Sequence, residues 1–228
     1  MLTRRLLPKL FAPALATVLL PGAARAQQPS RRRGDAPAPD LAPEASPIRP
    51  DYRWRVMRNG SEIGSHSVTF SQRGAELIAV SDVSIMPRVL GLVVYRFEHR
   101  YTEVTRGSAF VSVQSRQNRN GSIVEVSAAA APGAVAISGP EGALNLPANA
   151  APLSWWEPQR FGGAVPIFGT TTGRIMELRW TRQALPSGAT QWRCQGEVDA
   201  TLAYDAHGRW VGYSVIGDDG STVSYIAL

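Results

Sequence analysis

Residues 95–102 read Tyr95-Arg96-Phe97-Glu98-His99-Arg100-Tyr101-Thr102. Rings occupy every second position, and charged or hydroxyl side chains fill the places between. Side chains two apart in an extended chain share a face, so the octet has one face to bury and one to wet. Such a strand belongs in an antiparallel sheet, because parallel strands are covered on both faces and read as unbroken apolar runs. The alternation recurs. Thr190, Trp192 and Cys194 oppose Gln191, Arg193 and Gln195, and Met176, Leu178 and Trp180 oppose Glu177, Arg179 and Thr181.

Turn chemistry separates these runs. Asn59-Gly60, Asn120-Gly121 and Asp219-Gly220 are two-residue hairpin signals, since both residue types tolerate the positive φ of a type I′ turn. Arg73-Gly74 and His207-Gly208 read as looser turns. Strands are expected near 52–58, 62–71, 76–86, 93–104, 108–117, 122–129, 134–138, 174–183, 189–204, 209–216 and 222–227. The fold class is therefore all-β, an antiparallel meander of about ten strands forming a curved sheet or an open or closed barrel. Residues 139–173 break the pattern with five prolines, Gly162-Gly163 and the run Leu153-Ser154-Trp155-Trp156-Glu157. They are expected to form one long irregular loop, a lid, plug or cap, with at least one tryptophan packed on the sheet.

The N-terminus has a different character. Arg4, Arg5 and Lys9 precede an apolar run of eleven residues, Leu10 to Leu20, and Ala24-Arg25-Ala26 follows before Gln27. That order reads as a cleavable signal peptide over residues 1–26. The run is shorter than the roughly 20 apolar residues a membrane span needs, so no transmembrane segment is expected in the mature chain. Thr3-Arg4-Arg5-Leu6-Leu7-Pro8-Lys9 also resembles a twin-arginine export motif, with Pro8 departing from it. The expected location is periplasmic or secreted. Residues 27–50, rich in Pro, Ala and Arg, read as a disordered linker, and residues 51–228 as a single domain.

Composition excludes several functions. The whole chain carries a formal charge of +6, but removing the four basic residues of the signal leaves 20 arginines against 18 acids, a net of +2. A nucleic-acid partner is not expected. The single Cys194 excludes an internal disulfide, a structural cysteine zinc site and iron–sulfur chemistry. No P-loop, Gly-x-Ser-x-Gly, His-Glu-x-x-His or Gly-x-Gly-x-x-Gly motif occurs. No cofactor, no metal and no catalytic residue is assigned, and the oligomeric state is left open.

Three stretches carry a resemblance. They are Tyr52-Arg53-Trp54-Arg55-Val56-Met57-Arg58-Asn59-Gly60-Ser61-Glu62-Ile63-Gly64, Arg88-Val89-Leu90-Gly91-Leu92-Val93-Val94-Tyr95-Arg96-Phe97 and Tyr204-Asp205-Ala206-His207-Gly208-Arg209-Trp210-Val211-Gly212. Together they resemble an exported proteobacterial domain-of-unknown-function family, number 6134, over essentially residues 51–228. More distantly the strand texture is similar to the half-barrels of periplasmic lipoprotein carriers. The resemblance implies a fold and no activity, so no site residue is carried over.

Candidate site residues follow from strand parity. His66 travels with Val68 and Phe70, and His99 with Phe97 and Tyr101, so both imidazoles are expected on the inner face. A ligand site of His66, Phe70, Phe97, His99, Tyr101, Trp155 and Trp156 is the resulting candidate. Cys194 reads as a small buried hydrophobe, and His207 as a solvated turn residue. Three readings stay open: a carrier of a small apolar or amphipathic ligand, an envelope scaffold without a ligand, and a hydrolase pairing His66 or His99 with a carboxylate. For the export signal the expected outcome is plain. N-terminal sequencing of the exported protein should begin near Gln27, and a sequence starting at Met1 contradicts the signal.

Overall fold

The computed structural model describes residues 49–217 and 220–228. The signal and linker read over residues 1–50 lie outside the described residues, apart from Arg49 and Pro50, and so does Asp219 of the last hairpin turn. The strands are β1 Tyr52–Arg58, β2 Ser61–Arg73, β3 Glu76–Ile85, β4 Arg88–Val89, β5 Leu92–Val93, β6 Phe97–Arg106, β7 Ala109–Arg119, β8 Ser122–Ala131 and β9 Ala134–Gly139. They continue with β10 Gly142–Pro147, β11 Ala151–Pro152, β12 Ile167–Phe168, β13 Leu178–Ala184, β14 Thr190–Gly196, β15 Ala200–Tyr204, β16 Trp210–Ile216 and β17 Thr222–Ala227. A 3₁₀ turn spans Pro158–Arg160, and no α-helix occurs among the described residues.

Thirteen strands form one antiparallel sheet in the order β10-β9-β8-β7-β6-β3-β2-β1-β17-β16-β15-β14-β13. It consists of two meanders joined by the pairing of β1 with β17, and it is not closed into a barrel. The fold class matches the sequence reading, but the strand count is higher than about ten. Gly196, at φ 125°, ends β14 and divides the run expected at 189–204. Residues 142–147, expected to be irregular, form the edge strand β10, and Pro147 closes it, where a missing N–H costs no ladder bond. The strand expected from residue 93 begins at Phe97; Val93 ends the short β4–β5 ribbon, and Tyr95 and Arg96 lie in the link between that ribbon and β6.

Asn59-Gly60 and Asn120-Gly121 both adopt the left-handed pair that a type I′ turn requires, at φ 47° and 85° and at φ 52° and 91°. The ribbon's tip does the same with Leu90 at φ 51° and Gly91 at φ 83°. A leucine there costs about 1–2 kcal/mol of backbone strain that asparagine largely avoids.

Bulges decide whether parity arguments hold. Ile63 is an extra residue on β2 opposite Val56–Met57, and β6 slips against β7 at Val104–Thr105. Neither falls between His66 and His99, whose strands pair without interruption through β3. The buried face therefore runs in phase across the sheet: Tyr52, Trp54 and Val56 on β1, Val68 and Phe70 on β2, Leu77 and Ala79 on β3, Leu202 and Tyr204 on β15.

The connection 148–177 runs from edge strand β10 to edge strand β13 across that face. Phe161 stacks on Trp180 of β13 at 4.1 Å between ring centroids, while Phe168 meets Phe110 of β7 at 5.7 Å. The rings on the inner face also converge: His66 on β2 and Trp210 on β16, three places and about 14 Å apart in a flat sheet at ~4.8 Å per strand, have ring centroids 5.7 Å apart. The sheet therefore curls around the connection, which fills its interior.

Candidate functional site

The connection is fixed to the sheet by a buried ion pair. Arg160, in the 3₁₀ turn, lies 2.6 Å from a Glu103 carboxylate oxygen, with side-chain exposures of 5% and 1%. The other oxygen accepts from Ser154 Oγ at 2.5 Å, and Arg160 also donates to the Pro152 carbonyl at 3.3 Å. Glu103 continues the inward parity of Phe97, His99 and Tyr101, so its direction was readable, whereas its partner was not. Glu157 in the same segment meets Arg49 at 2.5 Å, and burial raises its pKa.

Around this anchor the tryptophans divide. Trp156 stacks on Tyr101 at 5.7 Å and meets Phe70 edge-on at 6.1 Å. Trp155 packs on Tyr213 at 5.3 Å, and its carbonyl accepts from the Tyr204 hydroxyl.

Between the connection and the sheet lies a cavity of about 300 Å³. Of the seven expected residues, His66, Phe97, His99, Tyr101 and Trp155 line it. Phe70 and Trp156 do not; they lie in the hydrophobic core, packed on each other and on Tyr101. Lining residues that the parity reading did not single out are Ser81 and Val83 on β3, Thr170 and Met176 on the connection, and Tyr213 and Tyr225 on the C-terminal meander. Ser81 could have been found, because Leu77, Ala79, Ser81 and Val83 alternate from the Gly74 turn that sets their register. The contributions of Thr170 and the C-terminal tyrosines depend on the curl of the sheet, which no local pattern encodes.

Cross-strand register places the imidazoles in one row, Trp54–His66–Val83–His99–Gln117. Each ring reaches diagonally to a serine two residues back from its opposite partner. His66 Nε2 is 2.9 Å from Ser81 Oγ, and His99 Nε2 is 3.0 Å from Ser115 Oγ. Thr170 Oγ1 approaches His99 Nε2 at 3.5 Å. His66 is 3% exposed, and its Nδ1 has no hydrogen-bond partner among the described residues. Burial pushes His66 down to about 3, with a smaller contribution from His99, and burial pushes His99 down to about 4. Burial raises the phenols of Tyr101, Tyr213 and Tyr225. At neutral pH these rings are all uncharged. Arg119 is the one charged side chain among the lining residues; it is exposed, and its guanidinium sits 5.7 Å from the Phe97 ring centroid.

Among the described residues neither imidazole bonds a carboxylate, and no cluster of three metal-binding side chains occurs. The His–carboxylate pair on which the hydrolase reading rested is thus not formed. Cys194 is fully buried, its thiol pushed up to about 12 by burial. A larger hollow, about 760 Å³, lies on the opposite face along β3, β6, β7 and β8. It is open, and its charges pair with one another, Arg100 with Asp82 at 2.6 Å and Arg116 with Glu125 at 3.5 Å. The smaller cavity lies on the buried face and combines aromatic and aliphatic walls with several polar groups.

A family model described as "Domain of unknown function (DUF6134)" matches residues 54–227. A solved structure described as a beta-barrel-like protein of domain of unknown function DUF1849, from Brucella abortus, superposes with a TM-score of 0.53 at 6% identity. That match covers 78% of this chain and 94% of the other, and it concerns the fold alone. No curated protein matches the sequence.

The buried imidazoles generate a pH dependence with a definite sign. Their folded pKa values lie below those of exposed imidazoles, so between about pH 6.5 and pH 4 the unfolded chain binds more protons than the folded one. Stability is complete above about pH 6.5 and is lost as pH falls, at roughly 1.4 kcal/mol per pH unit for each ring within the window. Urea unfolding at pH 7, 6, 5 and 4.5 should show His99→Gln with a shallower slope than wild type. Equal slopes contradict the burial of a neutral His99.

Proposed function

Because the chain belongs to the DUF6134 family of unknown function, we propose its role from the cavity: it binds a small, uncharged, apolar or amphipathic ligand inside the curled sheet. The observation that carries this reading is a cavity of about 300 Å³ whose wall combines aromatic rings with the two imidazoles of His66 and His99. A ligand hydroxyl, amide or carbonyl can bond the imidazoles and hydroxyls of that wall in place of the water it gives up. Neutral imidazole can accept or donate there, according to its tautomer.

The volume stands at the small end of ligand sites, which run from roughly 300 to 1,000 Å³. The walls mix aromatic and aliphatic side chains with a few imidazoles and hydroxyls, and the buried charges of Glu103 and Arg160 pair with each other. A sugar phosphate or other multiply charged molecule would lose its hydration there with only the exposed Arg119 to replace it. An amphipathic molecule with its apolar part against Val83, Phe97 and Tyr225 loses nothing of the kind. With the N-terminal segment acting as an export signal, this binding takes place outside the cytoplasm.

The uncharged probe N-phenyl-1-naphthylamine tests the reading by its fluorescence in apolar surroundings. It should bind with a micromolar Kd, and Val83→Phe, which fills the cavity from the middle of the imidazole row, should weaken binding at least tenfold. No fluorescence rise, or equal binding by the filled variant, contradicts the proposal.

A further inference from the structure

The β4–β5 ribbon carries apolar side chains that nothing in the fold covers. Leu90 is 98% exposed, Leu92 72%, Val94 59% and Val93 41%. Exposure alone would be ordinary, but the backbone is not. Three non-glycine residues among those described have positive φ: Asn59, Asn120 and Leu90. The first two are the asparagines of the other type I′ turns. At the equivalent place in the ribbon stands a γ-branched leucine, which accepts the strain and gains no burial. The fold itself derives no benefit from that side chain.

The surroundings indicate what could cover it. Between Asp82 and Glu98 the sequence has two arginines, Arg88 and Arg96, and no acid. Both are exposed, and Arg119 stands beside them through Phe97 and through the hydrogen bond from Asn120 N to the Arg96 carbonyl. Arg88 also donates to the Gly91 carbonyl at 3.0 Å, which braces the tip. The ribbon is thus an apolar point with a basic collar. Four aliphatic side chains cover far less than the roughly 1,000 Å² that a stable protein interface buries. A bilayer does not require a complementary surface. It takes apolar side chains below the headgroups while arginines meet anionic lipid at the interface.

We propose that the hairpin 86–96 docks this protein on anionic lipid membranes, with Leu90 and Leu92 entering the bilayer and Arg88, Arg96 and Arg119 held at the headgroups. The proposal stands whether or not the cavity holds a ligand. The two meet at one place, since Ile85 and Phe97, which bracket the hairpin, both line the cavity. Docking therefore sets that side of the cavity against the membrane.

A fluorophore on the hairpin reads docking locally, free of any contribution from the apolar run at residues 10–20. Leu92→Cys in the full chain, labelled with a nitrobenzoxadiazole group, is mixed with vesicles of phosphatidylcholine and phosphatidylglycerol in equal parts. Cys194 is fully buried with a raised thiol pKa and does not compete for the label. The expected result is a blue-shifted emission with a severalfold rise in intensity. Phosphatidylcholine alone should give a much smaller rise, and the same label at Ser187→Cys, at the opposite end of the strands, should give none. Leu90→Asp, a residue suited to the left-handed turn, should fold normally and weaken the lipid partition at least tenfold. An unchanged label at position 92, an equal response at position 187, or full binding by Leu90→Asp overturns the proposal. So does a response equal on both vesicle types, or one that follows protein concentration without lipid, which would indicate a second copy as the partner.

Discussion

The ion pair between Glu103 and Arg160 is the constraint on which the interior depends. Each charge loses its water on folding, and the attraction between them offsets that cost only where geometry is good. Here Ser154 donates to the other Glu103 oxygen and Arg160 donates to the Pro152 carbonyl, so each charge has one further polar partner. Such a pair adds little net stability compared with an apolar replacement, but it specifies position. Arg160 has one buried carboxylate to meet on the inner face of β6, and meeting it places the whole connection. Trp156 then falls on Tyr101, Trp155 on Tyr213 and Phe161 on Trp180.

From that placement the shape of the domain follows. A thirteen-stranded sheet with both edges free has no intrinsic reason to stop twisting at a useful curvature. Because the connection touches strands from both halves, the curvature is set by how many aromatic side chains it carries and where they lie. The space left over is the cavity, walled by rings whose ionisation burial suppresses. Neutral imidazoles bonded to serines are compatible with holding a polar ligand atom. They lack the carboxylate that would orient one as a general base.

Much of the fold was legible locally. Alternation in 95–102 and the Asn-Gly pairs fixed the strand class, the hairpins and the shared direction of His66 and His99, since the bulges lie outside the span between them. Strand β10 was missed because Pro140 before it and Pro147 at its end mask a short edge strand, and the division of the last long strand because a single glycine, Gly196, causes it. At the site, parity gave the direction of the sheet residues, and Tyr101 and Trp155 both line the cavity. Phe70 and Trp156 were assigned to the wall although they belong to the layer beneath. Period-two reasoning tells face from face and says nothing about depth. Arg160 was invisible for a related reason: an arginine in a proline-rich segment reads as solvated until a buried acid is known to wait opposite. The leucine at position 90, by contrast, was plain in the sequence, and only its φ angle gave it significance.

The most direct measurement is a double-mutant cycle on the buried pair, followed by equilibrium urea unfolding. Glu103→Ala and Arg160→Ala each leave an uncompensated charge in the interior, a loss of roughly 3–5 kcal/mol. The double variant should be no less stable than either single one, a strong positive coupling, if the pair alone fixes the connection to the sheet. Single-variant losses below about 1 kcal/mol, or losses that simply add, would mean that the connection is held by its aromatic contacts and that the ion pair is incidental.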